Sequence, residues 1–285
     1  MILVDFSSLI MSSIMVQIKD LNKNPDMIRH MVFNMVRRYN LEHRDEFGET
    51  VICFDSKNNW RKDTYPEYKA NRKKDREESS IDWNLIFDTI NTVKEEMREY
   101  SPYRCLEVER CEADDIIGTI CEKQMSPEPI LIVSPDLDFV QLQKYPNVRQ
   151  YSNTQKKWVT PKSGSAEEDL ALKILQGDKG DGVPNVLSDD LVLVEDRRQE
   201  VLSKKKKEAL LESPEAFGTT VARQYIRNKR MIDLTSTPDD LQETIMSEFV
   251  KPANGSIMRL MTLFTKNRMK LMLECLPDYE VRNNK

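Results

Sequence analysis

Short apolar runs alternate with stretches of helical periodicity over the first two-thirds of the chain. Ile2 to Val4 is an apolar run that ends at Asp5, Val51 to Phe54 is a second that ends at Asp55, and Ile130 to Val133 is a third, followed by Asp136 and Asp138. Between them, Met27 to Tyr39, Trp83 to Met97 and Glu112 to Lys123 carry apolar residues at helical spacing. Strand-sized apolar runs alternating with amphipathic helices predict a mostly parallel sheet covered by helices. Beyond Ser165 the alternation stops. Glu167 to Leu175 reads as a helix, Gly177 to Pro184 as a glycine-rich turn, and the remainder to Lys285 as polar and helix-rich. The pattern predicts an α/β domain over residues 1–165 and a helical C-terminal domain over 166–285.

Composition narrows the chemistry. The chain has 285 residues, enough for a large α/β core with a helical annex. No apolar run approaches the ~20 residues of a membrane span. The N-terminus has no basic flank and meets a carboxylate at once, so a signal peptide is not expected. Five cysteines without C-x-x-C spacing argue for a reducing cytosol and against a disulfide framework or thiolate zinc site. Only His30 and His43 exist, both in a helix-like stretch, which leaves little material for histidine-based catalysis. Chemistry, if present, should run on carboxylates.

Those carboxylates have a pattern. A single Asp after a strand is ordinarily a cap or turn residue. Here Asp5, Asp55 and the Asp136/Asp138 pair all follow apolar strands, and in open α/β sheets the ligand crevice lies outside that edge. Glu112-Ala113-Asp114-Asp115 opens a helix, where the macrodipole alone favours acids. Residues at i and i+3 share a face, however, and acids crowded together raise one another's proton affinity unless a cation is present. Hard oxygen ligands without histidine or thiolate favour Mg²⁺ or Mn²⁺ over Zn²⁺. The turn carrying Asp178 and Asp181 reads as a plain turn, a cation loop or a phosphate-approaching backbone.

Net charge is −5, but its distribution is uneven. From Lys57 to Arg76 eight basic residues face three acidic ones, and Trp60, Tyr65 and Tyr68 are interleaved with them. Cations that contact phosphates beside rings that stack on bases are the combination used for single strands. Lys57, Arg61, Lys62, Tyr65, Tyr68, Lys73, Lys74 and Arg76 are therefore the candidate nucleic-acid contacts. Lys204 to Lys207 forms a further run, which reads first as a solvated face.

The motifs occur in a familiar order: V-D-F-S-S, F-D-S-K, Y-K-A-N-R, E-A-D-D, S-P-D-L-D-F and G-D-K-G-D-G-V-P. This resembles the flap endonuclease and 5′-nuclease superfamily, and K-Y-P-N-V, K-K-W-V and K-I-L-Q-G-D-K are similar to its branch of T-even phage ribonucleases H. The specific motifs cover roughly Met1 to Asn185, and beyond that the resemblance is weak. It implies a PIN-like α/β fold with a basic arch at about residues 56–80 and a helix–turn–helix-like DNA-binding element in the helical domain. It implies a 5′-to-3′ exonuclease and flap endonuclease that removes RNA primers and adjoining DNA during lagging-strand replication. By position, Asp5, Asp55, Glu112, Asp114, Asp115, Asp136, Asp138, Asp178 and Asp181 match the family's metal-site acids, for two Mg²⁺ ions that Mn²⁺ would replace. Lys69 matches the arch lysine that reaches the scissile phosphate, with Arg72 assisting. The partners implied are RNA–DNA hybrid, flapped or nicked duplex DNA with a single-stranded 5′ end, and a single-stranded-DNA-binding protein or sliding clamp. A monomer in the cytoplasm, the host's if phage-encoded, with no membrane partner, completes the expectation.

Two departures stand out. The G-D-x-x-D turn runs into Asn185-Val186-Leu187-Ser188 rather than a glycine- and lysine-rich hairpin, and no Q-x-x-L-x-x-F-F clamp-binding box is present. Two other readings compete: a catalytically inactive nucleic-acid-binding member of the same fold, and a phosphohydrolase for small esters. The complete acidic set weighs against the first. The basic aromatic stretch and the lack of a D-x-D-x-T pattern at Asp5 weigh against the second.

Overall fold

The structure, a computed structural model, describes residues 1–17, 25–124, 127–213 and 217–281. Its sheet contains β1 (Ile2–Asp5), β2 (Thr50–Cys53), β3 (Arg104–Leu106), β4 (Ile130–Val133), β5 (Val148–Ser152) and β6 (Lys157–Val159) in the order β3-β2-β1-β4-β5-β6. All neighbours pair in parallel except β5 with β6, an antiparallel edge. The chain builds outward from β1 to β3 and then returns to lay β4 on the other side of β1. The crevice of such a sheet opens where the order reverses, between β1 and β4.

Alternation along β1 explains the two cores. Leu3 faces one way with Val51, Cys53, Ile130 and Ile132, while Ile2 and Val4 face the other way with Ile52, Leu131 and Val133. Both faces are covered, which is why these strands read as unbroken apolar runs. On the first face lie α6 (Ala113–Lys123), α9 (Thr219–Ile232) and α10 (Asp239–Phe249). On the second lie α1 (Phe6–Gln17), α2 (Pro25–Phe47), α5 (Trp83–Tyr100) and α11 (Ile257–Lys266). The short helices α3 (Arg61–Thr64) and α4 (Asn71–Glu77) occupy the basic stretch. The helices α7 (Ala166–Gln176), α8 (Lys204–Glu212) and α12 (Lys270–Glu274) complete the helical C-terminal part among the described residues.

Helix boundaries follow capping chemistry. Asp82 accepts from the Leu85 amide to start α5, and Ser165 accepts from the Glu168 amide to start α7. α2 continues eight residues past its predicted end at Tyr39 and carries both histidines. The last 3₁₀ turn, Leu276–Tyr279, closes back on α2. Asn40 donates to the Asp278 carbonyl at 2.8 Å, Arg37 pairs with the Asp278 carboxylate at 2.5 Å, and the Tyr279 hydroxyl donates to the Phe33 carbonyl at 2.9 Å. All five cysteines are free thiols, and no helix among the described residues is long and apolar enough to cross a membrane.

Candidate metal centre

Three neighbouring strands deliver acids to one rim. Asp5 closes β1, Asp55 lies two residues past β2, and Asp136 lies three residues past β4. Hydrogen bonds orient them. Asp5 accepts from the Ser134 hydroxyl at 2.8 Å and the Ser8 amide at 3.2 Å, so the turn after β4 and the start of α1 both hold it. Asp55 accepts from the Ser7 hydroxyl at 2.5 Å and the Ala113 amide at 2.7 Å, which places it against the N-terminus of α6. That helix end carries Glu112, Asp114 and Asp115. Orphan amides at a helix start favour anions, so α6 stabilises the acids on its first turn as well as Asp55.

The electrostatics mark an uncompensated negative centre. Burial, with Asp55 beside it, pushes the Asp5 carboxyl up to about 7. Burial and the charges of Asp136, Asp5 and Glu112 push Asp114 well above the usual carboxylate range, and burial raises Asp136 as well. Glu112 behaves oppositely: burial would raise it, but Lys69 and Arg61 outweigh that and bring it down to about 2.

A second group lies beyond it. Asp138 sits on the 3₁₀ segment Leu137–Lys144, and its amide donates to Asp136 at 2.9 Å. Lys173 on α7 pairs with both Asp138 and Asp178, the latter at 2.8 Å, and holds Asp178 low against the opposing effect of burial. Asp181 is taken by Arg72 at 2.6 Å, by the Tyr68 hydroxyl at 2.9 Å and by Lys69 at 3.7 Å. Lys69 also reaches Glu112 at 2.6 Å. The basic stretch and the glycine-rich turn interlock: the Lys69 amide donates to the Asp181 carbonyl at 2.8 Å, and the Tyr65 hydroxyl donates to the Gly182 carbonyl at 3.2 Å. Gly182 has φ +73, and a Cβ there would lie 3.0 Å from the Glu67 carbonyl, so a side chain would pry the two segments apart.

The donor set suits a hard divalent cation. It is all oxygen, it comes from four separate segments, and burial together with neighbouring carboxylates raises the proton affinities of Asp5, Asp114 and Asp136. Among the described residues no three histidine, cysteine, aspartate or glutamate side chains are drawn closely enough to hold an ion in their present positions. Asp5, Asp55, Asp114 and Asp136 form the group with the least internal compensation.

Two sets of predicted residues have other employment. Asp115 is fully buried, and its two oxygens are saturated by Arg61 at 2.8 and 3.0 Å, Trp60 at 3.2 Å, Thr237 at 3.0 Å and the Glu112 amide at 2.8 Å. It pins α6 rather than facing the rim, which corrects its placement among the metal ligands. Arg61, Tyr65 and Tyr68 are also buried, as is Trp60, so these groups anchor the basic stretch to the body of the protein and offer no free face or charge to a strand. Arg61 also donates to the Met231 carbonyl at 3.0 Å on α9. Lys57, Lys62 and Lys74 are exposed, and Arg76 lies over the Phe87 ring. The side chain of Lys73 falls outside the described residues. Sequence reasoning missed Ser7, Ser134, Lys173 and Thr237; the serines at least flank the strand-end acids in D-F-S and V-S-P-D.

Known proteins give independent readings of the chain. Residues 1–170 match the family model for the 5′-3′ exonuclease N-terminal resolvase-like domain, and residues 164–279 match that for the C-terminal part of T4 RNase H. The second match carries the likeness well beyond Asn185. Ribonuclease H of Enterobacteria phage T4 is 36% identical over 271 residues, spanning 90% of this chain and 88% of that protein. A DNA polymerase I of Rhizobium leguminosarum is 33% identical over 148 residues, 48% of this chain and 13% of that protein. In fold, the chain is similar to the phage T5 5′-exonuclease with bound zinc, with a TM-score of 0.62 at 16% identity over 88% of this chain and 98% of that one. It matches equally a T5 flap endonuclease pseudo-enzyme-product complex with DNA and metal ions, with a TM-score of 0.62 at 16% identity over 87% and 97%.

Proposed function

The chain belongs to the 5′-3′ exonuclease family, and from that membership we propose that it is a Mg²⁺-dependent 5′-to-3′ exonuclease and flap endonuclease that removes RNA primers and adjoining DNA. The observation that carries this reading is the convergence of Asp5, Asp55, Asp114 and Asp136 on one sheet rim, with Lys69 reaching in from the arch.

Asp5, Asp55, Glu112, Asp114 and Asp136 would hold the first cation between them, and Asp138, Asp178 and Asp181 would hold or orient a second. When bound, such ions would activate water and stabilise the leaving oxygen of a phosphodiester. The chain's own residues do the rest. Ser7, Ser134 and the Ala113 amide fix the carboxylate orientations before substrate arrives. Lys69, half-buried and charged, is aimed at the acid rim and would offset charge developing on the phosphoryl group, with Arg72 beside it. No side-chain nucleophile is required. The substrate is a strand with a free 5′ end, taken from a flap, a nick or an RNA–DNA hybrid, and the helical C-terminal part would contact the duplex.

Cleavage of 5′-labelled flap, nicked and RNA–DNA substrates, with Mg²⁺ and with EDTA, tests the assignment. Short 5′ products in Mg²⁺ alone are expected. Binding without cleavage under every divalent ion would favour the inactive relative, and hydrolysis of small phosphate esters with no strand cleavage would favour the phosphohydrolase.

A further inference from the structure

A recess of about 370 Å³ opens beside the rim, lined by Lys57, Asn58, Asn59, Lys62, Asp63 and the Glu109–Arg110 pair. It is built from two segments that leave the metal centre together. Lys57 follows Asp55 by two residues, and Arg110 precedes Glu112 by two. The segments are clamped: the Ser56 amide donates to the Cys111 carbonyl at 2.9 Å and the Trp60 amide to the Arg110 carbonyl at 2.9 Å. Arg110 itself holds φ +68, a left-handed backbone in a non-glycine residue.

The charges in this recess are unevenly spent. Asp63 is paired with Arg110 at 2.5 Å, and Glu109 is taken by Asn58 at 2.6 Å and Ser56 at 3.2 Å. Both carboxylates are thus engaged. Lys57 and Lys62 are exposed and make no ion pair among the described residues. The Asn59 side chain gives its oxygen to the Arg61 amide at 2.8 Å, which leaves its buried Nδ2 donor without an acceptor. A buried amide donor left unpaired costs free energy unless a ligand completes it. Glu109 keeps its charge, since only neutral donors hold it, so the two free ammonium groups leave the recess net positive by one, and with the orphan amide donor they suit a small anion with several acceptor oxygens.

We propose that this recess is a phosphate subsite that binds one phosphodiester group of the substrate strand next to the cleaved linkage. The proposal rests on the nuclease reading and adds a contact that fixes register. Lys57 and Arg110 each lie two residues from a rim acid, a backbone reach of at most ~7 Å, so the phosphate held here belongs to a linkage close to the bond aligned with Asp55 and Glu112.

The test neutralises phosphates one at a time. Flap oligonucleotides carrying a single methylphosphonate at each of three linkages on either side of the cut are bound in EDTA to the parent and to Lys57→Gln/Lys62→Gln, followed by fluorescence anisotropy. One linkage, or two adjacent ones, should cost the parent roughly three- to tenfold in affinity, a little above a kcal/mol at most, and cost the variant less than twofold. Equal losses in both proteins at every linkage would overturn the subsite. So would strand-independent behaviour, in which inorganic phosphate competes with the oligonucleotide for the parent only while no linkage matters. Both lysines are exposed, and Asn59→Leu with Lys57 and Lys62 retained gives the same reading if the double variant misfolds. Cleavage of the unmodified flap by the parent in Mg²⁺ keeps the two ideas apart: cleavage without linkage-specific coupling removes the subsite alone, and coupling without cleavage removes the nuclease reading.

Discussion

Lys69 adopts a left-handed backbone at φ 58 and from there places its ammonium 2.6 Å from Glu112, a residue 43 positions along the chain. Such a conformation costs a non-glycine residue of order 1 kcal/mol and persists only where its surroundings hold it. The holder is visible: its amide is tied to the Asp181 carbonyl, so the glycine-rich turn sets where the Lys69 side chain starts from.

Lys69→Ala is expected to lower the cleavage rate by roughly 10²-fold or more while changing substrate affinity little, the pattern of a group that acts on the transition state. Single-turnover and binding measurements on one flap substrate check it. A loss confined to affinity would make Lys69 a backbone anchor instead.

Acid crowding predicts a pH-dependent stability in the absence of metal. Asp5 titrates near 7 in the folded chain, against about 3.9 unfolded. The folded state therefore keeps a proton that the unfolded state releases, so Asp5 lends stability below about pH 4 that is lost as pH rises through about 7. Thermal melting in EDTA should show the parent losing more stability than Asp5→Asn between pH 5 and 8. Saturating Mg²⁺ should restore the parent at pH 8 and leave the variant largely unmoved. Parallel curves for the two proteins would detach Asp5 from the centre.

Arg61 and Asp115 form a buried pair, and breaking one side leaves the other charged and unpaired. Arg61→Ala should cost about 3–5 kcal/mol in denaturant unfolding. Asp115→Asn should lower stability in the absence of divalent ions. If Asp115 instead held the ion, its amide variant would lose metal affinity at unchanged stability, and calorimetric titration with Mn²⁺ distinguishes the two.

Lys173 compensates Asp138 and Asp178 when no ion is bound. Lys173→Gln should tighten Mn²⁺ binding in calorimetry, because a competing cation is gone, and lower the melting temperature in EDTA. Weakened ion binding would refute competition at this position.

Asp136→Asn should retain flap binding and lose cleavage. Undiminished cleavage would remove Asp136 from the acting set.

Much of the rim was legible in the chain itself because Ile2–Val4, Val51–Phe54 and Ile130–Val133 are buried on both faces, and such strands cannot hide among polar residues. β3, β5 and β6 left no such trace. β5 alternates buried and exposed positions, β6 is exposed at an edge, and β3 is three residues long. Arg61, Tyr65 and Tyr68 misled for a related reason. A cation among cations reads as exposed, and only the three-dimensional partner, Asp115 on another segment, shows that it is buried. Asp115 misled in turn because its neighbours Glu112 and Asp114 do face the rim, while helical rotation carries it inward onto Trp60 and Thr237.

The closure of residues 276–279 onto α2 has a consequence for biosynthesis. Phe33 and Tyr279 are 246 positions apart, so the outer wall of the second core stays open to water until residues 276–279 have been made. Such distant pairing slows folding and leaves α2 and α11 greasy and unshielded in the meantime. The nascent α/β half would thus wait for the 276–279 turn before it settles, and truncation ahead of residue 276 would release an aggregation-prone fragment.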